Sequence, residues 1–322
     1  MKKNITFLFF FFASLVVFAQ QEVQVSHNMF NNMSINPGYA GMNEAICATA
    51  IVRQQWVGFE DPDGYKGAPQ TYLLSVDGKV NPLRGGLGLN IMQDQLGFEK
   101  NLNVKISYSF HLAAGPGTLG IGAQVGFMNK KIDFTKFKPI DASDPLLING
   151  GDEGNMGTDF AFGLYYQIPS KLYFGISSSQ LSQADIVYPS ALATPTLARH
   201  YYITAGYYYP LPGNPSLELQ PSLLIKSDLA STQFDVNTLV KYSMPVNAFL
   251  GGLSWRAQDA IVVLLGFQRS FNTGTLKVGY AYDITTSALN KHSSGSHEIM
   301  IGYCFKIIKE FHPESYDNVR FL

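Results

Sequence analysis

Charge is the scarcest ingredient of this 322-residue chain: 15% of its residues are Asp, Glu, Lys or Arg, against roughly 25% in soluble domains. What charge there is nearly cancels, to a formal −1. No basic stripe or basic cluster interleaved with aromatics is present, so nothing points to nucleic acid. Cysteine is limited to Cys47 and Cys304. The six histidines (His27, His111, His200, His292, His297, His312) are scattered, and none has metal-ligand spacing with another. Beyond Ala19 no apolar run approaches the ~20 residues that a membrane helix needs.

The one long apolar run is at the start. Lys2-Lys3 precedes an apolar stretch from Ile5 to Phe18, then Ala19. A positive n-region, an h-region and a small residue at the cut describe a signal peptide over residues 1–19. The mature chain is then exported, and any membrane crossing must use strands.

Alternation is what the chain has in abundance. From Asn101 to Leu112 it reads Asn-Leu-Asn-Val-Lys-Ile-Ser-Tyr-Ser-Phe-His-Leu, with one face apolar and the other polar. About fourteen such segments recur between Cys47 and Phe305. They predict strands at Cys47–Trp56, Thr71–Lys79, Gly86–Gln93, Asn101–Leu112 and Thr118–Met128. Further strands are predicted at Thr158–Gln167, Lys171–Ser179, Tyr201–Tyr209, Leu217–Ile225 and Gln233–Tyr242, then at Ala248–Trp255, Ile261–Gln268, Thr275–Tyr282 and His297–Phe305.

Three features favour a transmembrane barrel over a soluble sandwich. Lys105, Asp159, Glu218, Lys226, Asp235, Lys241, Lys277 and Glu298 all fall on the polar side of their strands. A Lys or Arg facing lipid at mid-membrane costs ~2–4 kcal/mol, so a barrel enforces this sorting. Short Gly- and Pro-rich turns (Ala113–Gly117, Ile168–Ser170, Pro212–Pro215) alternate with longer loops (Gly58–Gln70, Asn129–Gly157, Gln180–His200, Ile284–Ser296). Aromatics such as Trp56, Tyr207–Tyr209, Trp255, Tyr280 and Tyr282 stand near strand ends, where rings with a polar tip meet the membrane boundary. The fold expected is all-β: a transmembrane antiparallel up-and-down barrel over residues 46–305, in outer-membrane lipid, followed by a periplasmic tail, 306–322.

Two features leave alternatives open. The polar face is rich in glycine (Gly86, Gly88, Gly120, Gly122, Gly126, Gly163, Gly175, Gly279), and glycine in a strand often marks close approach by another backbone. Residues 20–45 are polar and strand-poor, so they either plug the lumen or hang as a flexible periplasmic arm. Ile261–Leu265 is apolar on both faces, as if it met a plug or filled a tapered lumen. Cys47 opens the first strand and Cys304 closes the last, and barrel closure makes those strands neighbours in an oxidising compartment. Either a disulfide pins that seam, or the register separates their Cα atoms beyond the ~7 Å limit for a bridge and leaves two free thiols.

Catalytic chemistry finds no footing. Ser109 and His111 share a strand face, but a hydrolase needs Ser, His and an orienting group gathered together. The acidic loop with Asp141, Asp144, Asp152 and Glu153 invites Ca²⁺, yet its spacing does not match an EF-hand. No catalytic residue, cofactor, metal or small-molecule substrate is expected.

The order Asn36-Pro37-Gly38-Tyr39-Ala40-Gly41, Arg53-Gln54-Gln55-Trp56-Val57-Gly58, Gly86-Leu87-Gly88-Leu89, Gly97, Ser107-Tyr108-Ser109-Phe110-His111 and Gly295-Ser296-His297-Glu298-Ile299 resembles the PorP/SprF family of the type IX secretion system of Bacteroidetes. The resemblance implies a non-enzymatic outer-membrane barrel serving secretion, gliding or the export and surface attachment of a secreted adhesin. The closing Phe311-His312-Pro313 and Asn318–Leu322 resemble tails of adhesin-linked, SprF-like members; the alternatives are a core PorP-like subunit or a passive channel. Candidate partner-binding residues are Asn36, Pro37, Gly38, Arg53, Trp56, Arg320 and Phe321. Asn36-Pro37-Gly38 also has a plain structural reading as a turn, and Arg53 as a lumen ion pair.

Overall fold

A computed structural model describes residues 22–60, 64, 67–136, 151–187 and 196–307. Their strands are β1 (Ala45–Gln54), β2 (Gln70–Val80), β3 (Gly85–Leu96), β4 (Glu99–Ala114) and β5 (Gly117–Asp133). They continue with β6 (Asp152–Ile168), β7 (Leu172–Ser179), β8 (His200–Tyr207), β9 (Tyr209–Pro210) and β10 (Leu217–Ser227). The last are β11 (Thr232–Ser243), β12 (Asn247–Arg256), β13 (Ala260–Ser270), β14 (Gly274–Thr285) and β15 (Ser296–Lys306). β8 and β9 form one stave broken at Tyr208, so fourteen antiparallel staves follow one another around the sheet. Closure is direct: β1 pairs with β15 from Ala45↔Lys306 to Gln54↔His297.

The alternation sorts the faces as charge parity requires. On β4, Asn103, Lys105, Ser107 and Ser109 are buried inside, while Leu102, Ile106, Tyr108 and Leu112 are exposed outside. On β6 and β11, Asp159 and Asp235 are buried, while Phe160, Phe162, Phe234 and Val236 are exposed. This is a soluble protein turned inside out, with the apolar belt facing lipid. No helix among the described residues is long and apolar enough to cross a membrane.

The turns at 81–84, 115–116, 169–171, 211–216, 244–246 and 271–273 share one end of the barrel. The connections at 55–69, 134–151, 180–199 and 286–295 share the other, which is the outer end by the short-inside rule. β5 and β6 run past that end together, paired from Met128↔Gly157 to Asp133↔Asp152, where a loop between Asn129 and Gly157 was expected. Beyond the membrane, lipid no longer enforces alternation, so Asn129-Lys130-Lys131-Ile132-Asp133 reads as loop although its backbone continues the ladder. Ile186 and Leu197 of the next loop pack on Met128, with Ile132 and Phe134 alongside.

Candidate functional site: the occupied lumen

Residues 22–44 run through the barrel, from Glu22 near the outer mouth to the start of β1 at the periplasmic rim. Of the two fates open to this segment, the structure gives the plug. Short turns of helix at Asn28–Phe30, Asn32–Ile35 and Pro37–Tyr39 keep it compact. Its contacts with the wall fall into three tiers.

The outer tier holds Glu22. Its carboxylate pairs with Lys105 (3.4 Å) and accepts from the Tyr202 hydroxyl, while Lys226 donates to its backbone carbonyl (2.6 Å). Burial pushes the Glu22 carboxyl up, but Lys105, His200, the Tyr202 hydroxyl and Lys226 outweigh it and hold it at about 2.

The middle tier is an ionic network drawn from five strands. Arg53 on β1 meets Asp283 on β14 (2.8 Å) and Glu298 on β15 (3.3 Å). Arg256 on β12 meets Asp283 (3.0 Å), Asp235 on β11 (3.4 Å) and Asp259 (3.3 Å). Both guanidiniums are about 1% exposed. Four carboxylates therefore surround two guanidiniums, and the plug supplies the remaining donors. The backbone N–H groups of Ser26 and His27 each donate to Glu298 (2.7 Å), and His27 Nδ1 lies 2.7 Å from it. The Ser26 hydroxyl donates to Asp283 (2.8 Å) and accepts from Arg53 (2.8 Å). Gln24 and Asn28 donate to Asp235 (3.0 and 3.1 Å). A buried charge deprived of its partners is costly, so wall and plug complete one another.

The periplasmic tier is a cradle of glycines. Asn36 caps its own turn, its Oδ1 accepting from the Gly38 N–H (2.8 Å), while its amide donates to the carbonyls of Leu164 (2.9 Å) and Ile176 (3.2 Å). The turn lies flat on the wall. A Cβ on Gly120 would stand 2.1 Å from the Gly38 carbonyl, one on Gly122 2.2 Å from the Gly38 nitrogen, and one on Gly163 2.1 Å from Asn36 Oδ1. Gly86 receives the Ala40 carbonyl in the same way, at 2.2 Å. Gly126 is the exception among the polar-face glycines, its nearest neighbours being the Lys105 side chain and its strand neighbour Asp159 rather than the plug. Ser109 donates to the Gly38 carbonyl (2.8 Å) and His111 Nε2 to that of Ala40 (2.9 Å), so this pair grips the plug. The doubly apolar strand is explained too: Val262 and Leu264 are buried against Met29 and Phe30.

The candidate partner-binding residues thus separate. Asn36, Pro37, Gly38 and Arg53 are buried in the lumen. Trp56 is half-buried at the outer mouth, its backbone N–H donating to the Ser296 hydroxyl (3.1 Å). Arg320 and Phe321 lie outside the described residues, as do Asp141 and Asp144 of the acidic loop. Among the described residues no group of three His, Cys, Asp or Glu is placed to hold a metal. Cys47 and Cys304 face each other in register, Cα atoms 4.0 Å apart, and are joined by a disulfide that ties the first strand to the last. Sequence reasoning missed Ser26, His27, Asp283 and Arg256; the buried-side parity of Asp283 and Arg256 was the available signal.

The comparisons bear on the whole chain. A family model described as "Type IX secretion system membrane protein PorP/SprF" matches residues 17–303. Among curated proteins, no relative matches by sequence. Similar solved structures include the CymD monoaromatic hydrocarbon channel, at 12% identity and TM-score 0.51, covering 86% of this chain and 93% of that one. The P. putida toluene transporter TodX is similar at 10% identity and TM-score 0.50, covering 85% and 93%. At such identities these two neighbours speak for the fold alone.

Proposed function

Because this chain belongs to the PorP/SprF family of type IX secretion system membrane proteins, we propose that it is a plugged outer-membrane barrel that serves secretion by binding, as the partner of a secreted surface adhesin in its export or attachment. The observation that carries this reading is the lumen, which residues 22–44 cross from the outer mouth to the periplasmic rim and which the Arg53–Arg256 network seals. A wall whose buried carboxylates are satisfied by plug donors resists opening, because every departing donor leaves a desolvated charge. In this reading residues 1–19 are a signal peptide removed during export, and Glu22, the first described residue, lies at the outer mouth near Trp56. The outer mouth, the periplasmic rim and the tail 306–322 are then the surfaces left for partners.

The test is affinity purification of the tagged full-length protein from its native membrane. Co-purification of a large secreted protein together with secretion-machinery components supports the reading; recovery of the barrel alone, under conditions that preserve other membrane complexes, overturns it. Passive conduction is the second reading, favoured by the likeness in fold to two hydrocarbon transporters. It requires a route past the plug, and electrical recording distinguishes it.

A further inference from the structure

Beside the plug, in the periplasmic half of the lumen, the barrel keeps a cavity of about 570 Å³, within the range of ligand sites. Its two lysines are unpaired among the described residues, although carboxylates outnumber them by three to two. Three carboxylates line it and each already has a donor: Glu44 pairs with Lys79, Asp77 accepts from the Gly41 N–H (2.9 Å), and Glu218 accepts from the Gln220 amide (2.6 Å). Two ammonium groups line it as well, Lys241 on β11 and Lys277 on β14. Glu218 stands opposite Lys241 in the β10–β11 register, yet no ion pair joins them. Among the described residues neither lysine has a carboxylate partner. The contact recorded for Lys277 is the face of the Phe30 ring, 4.9 Å from Nζ to centroid.

The rest of the lining says what should accompany the charge. Met29, Met33, Met42 and Met300 share the wall with Phe30 and Leu250. Methionines adapt their shape to varied apolar partners, and an apolar wall lowers the local dielectric, which strengthens a charge-assisted bond to an ammonium.

We propose that this vestibule is a binding site for a carboxylate-bearing peptide entering from the periplasm, with its carboxylate held by Lys241 and Lys277 and an apolar or aromatic side chain against the methionines. The site rests on the plugged barrel and is independent of whether the secreted partner is an adhesin. A peptide is favoured over a bare inorganic anion because the apolar wall has no use in binding the latter.

The test uses the purified full-length barrel in detergent and isothermal titration with three probes: acetyl-Phe-Leu with a free carboxylate, its C-terminal amide, and inorganic phosphate. The acid is expected to bind at least tenfold more tightly than the amide. The double variant K241M/K277M should lose at least tenfold in affinity for the acid, while K277R retains it. Equal binding of acid and amide to the wild type would overturn the proposal, and that comparison needs no variant to fold. Wild-type affinity in the double variant, or binding of phosphate without the dipeptide acid, would overturn it equally.

Discussion

Gly122 shows how much one missing methyl group does here. A Cβ at that position would lie 2.2 Å from both the Gly38 nitrogen and the Pro37 carbonyl carbon, so Gly122→Val must push the Asn36–Tyr39 turn off the wall. Overpacking costs ~1–3 kcal/mol, and the hydrogen bonds of Asn36 go with it. Limited proteolysis in micelles should cut residues 22–44 at least tenfold faster in this variant. Gly251, with nothing within 4 Å of a built Cβ, accepts alanine without that effect. Arg53→Met removes the guanidinium shared by Asp283 and Glu298, leaving Asp283 to Arg256 and Glu298 to the plug's donors, and should destabilise the barrel by ~3–5 kcal/mol. Lys79→Met, at the solvent-facing pair with Glu44, should cost at most ~1 kcal/mol. Both are read from the midpoint of urea unfolding followed by tryptophan fluorescence. The glycines were visible in the sequence as small residues on a polar face, and Arg53 as a lumen cation. Their partners were not: Asn36-Pro37-Gly38 and Gly122 are joined only by folding.

The strands were the most legible elements, since lipid outside and water or plug inside force a period of two on every membrane-crossing segment. Legibility stopped where that force stops, at the β5–β6 extension and in residues 22–44, whose polar, aperiodic sequence takes its shape from the wall. Two elements of that design respond to solution conditions. The Glu22 carboxyl is held at about 2, below its ordinary value, so its anchoring is fully present above pH ~4.5 and is lost as pH falls through 2. The protection factors of backbone amides near Glu22, taken relative to the intrinsic exchange rate at each pH, should therefore fall on acidification across that window, and Glu22→Gln should already show the loosened state at neutral pH. The Cys47–Cys304 bond closes the chain over 257 residues of separation, for which the loop-entropy model gives up to about 5 kcal/mol. Reduction should lower the temperature at which the barrel loses its compact mobility on gels, and Cys47→Ser should do the same without reductant.

Taken whole, the molecule is a barrel whose interior has been committed to its own chain. The sheet supplies carboxylates and guanidiniums that cannot satisfy one another alone, and the segment that precedes the first strand completes them. The chain belongs to a family of type IX secretion system membrane proteins, and an occupied lumen lets such a barrel cross the membrane without opening a free passage. The claim on which the rest depends is that residues 22–44 close the barrel. Single-channel recording in planar bilayers measures it directly. The wild-type protein should show no steady conductance above the bilayer background, and Gly122→Val should open discrete, long-lived current steps. A steady large conductance through the wild-type barrel, unchanged in Gly122→Val, would contradict the account.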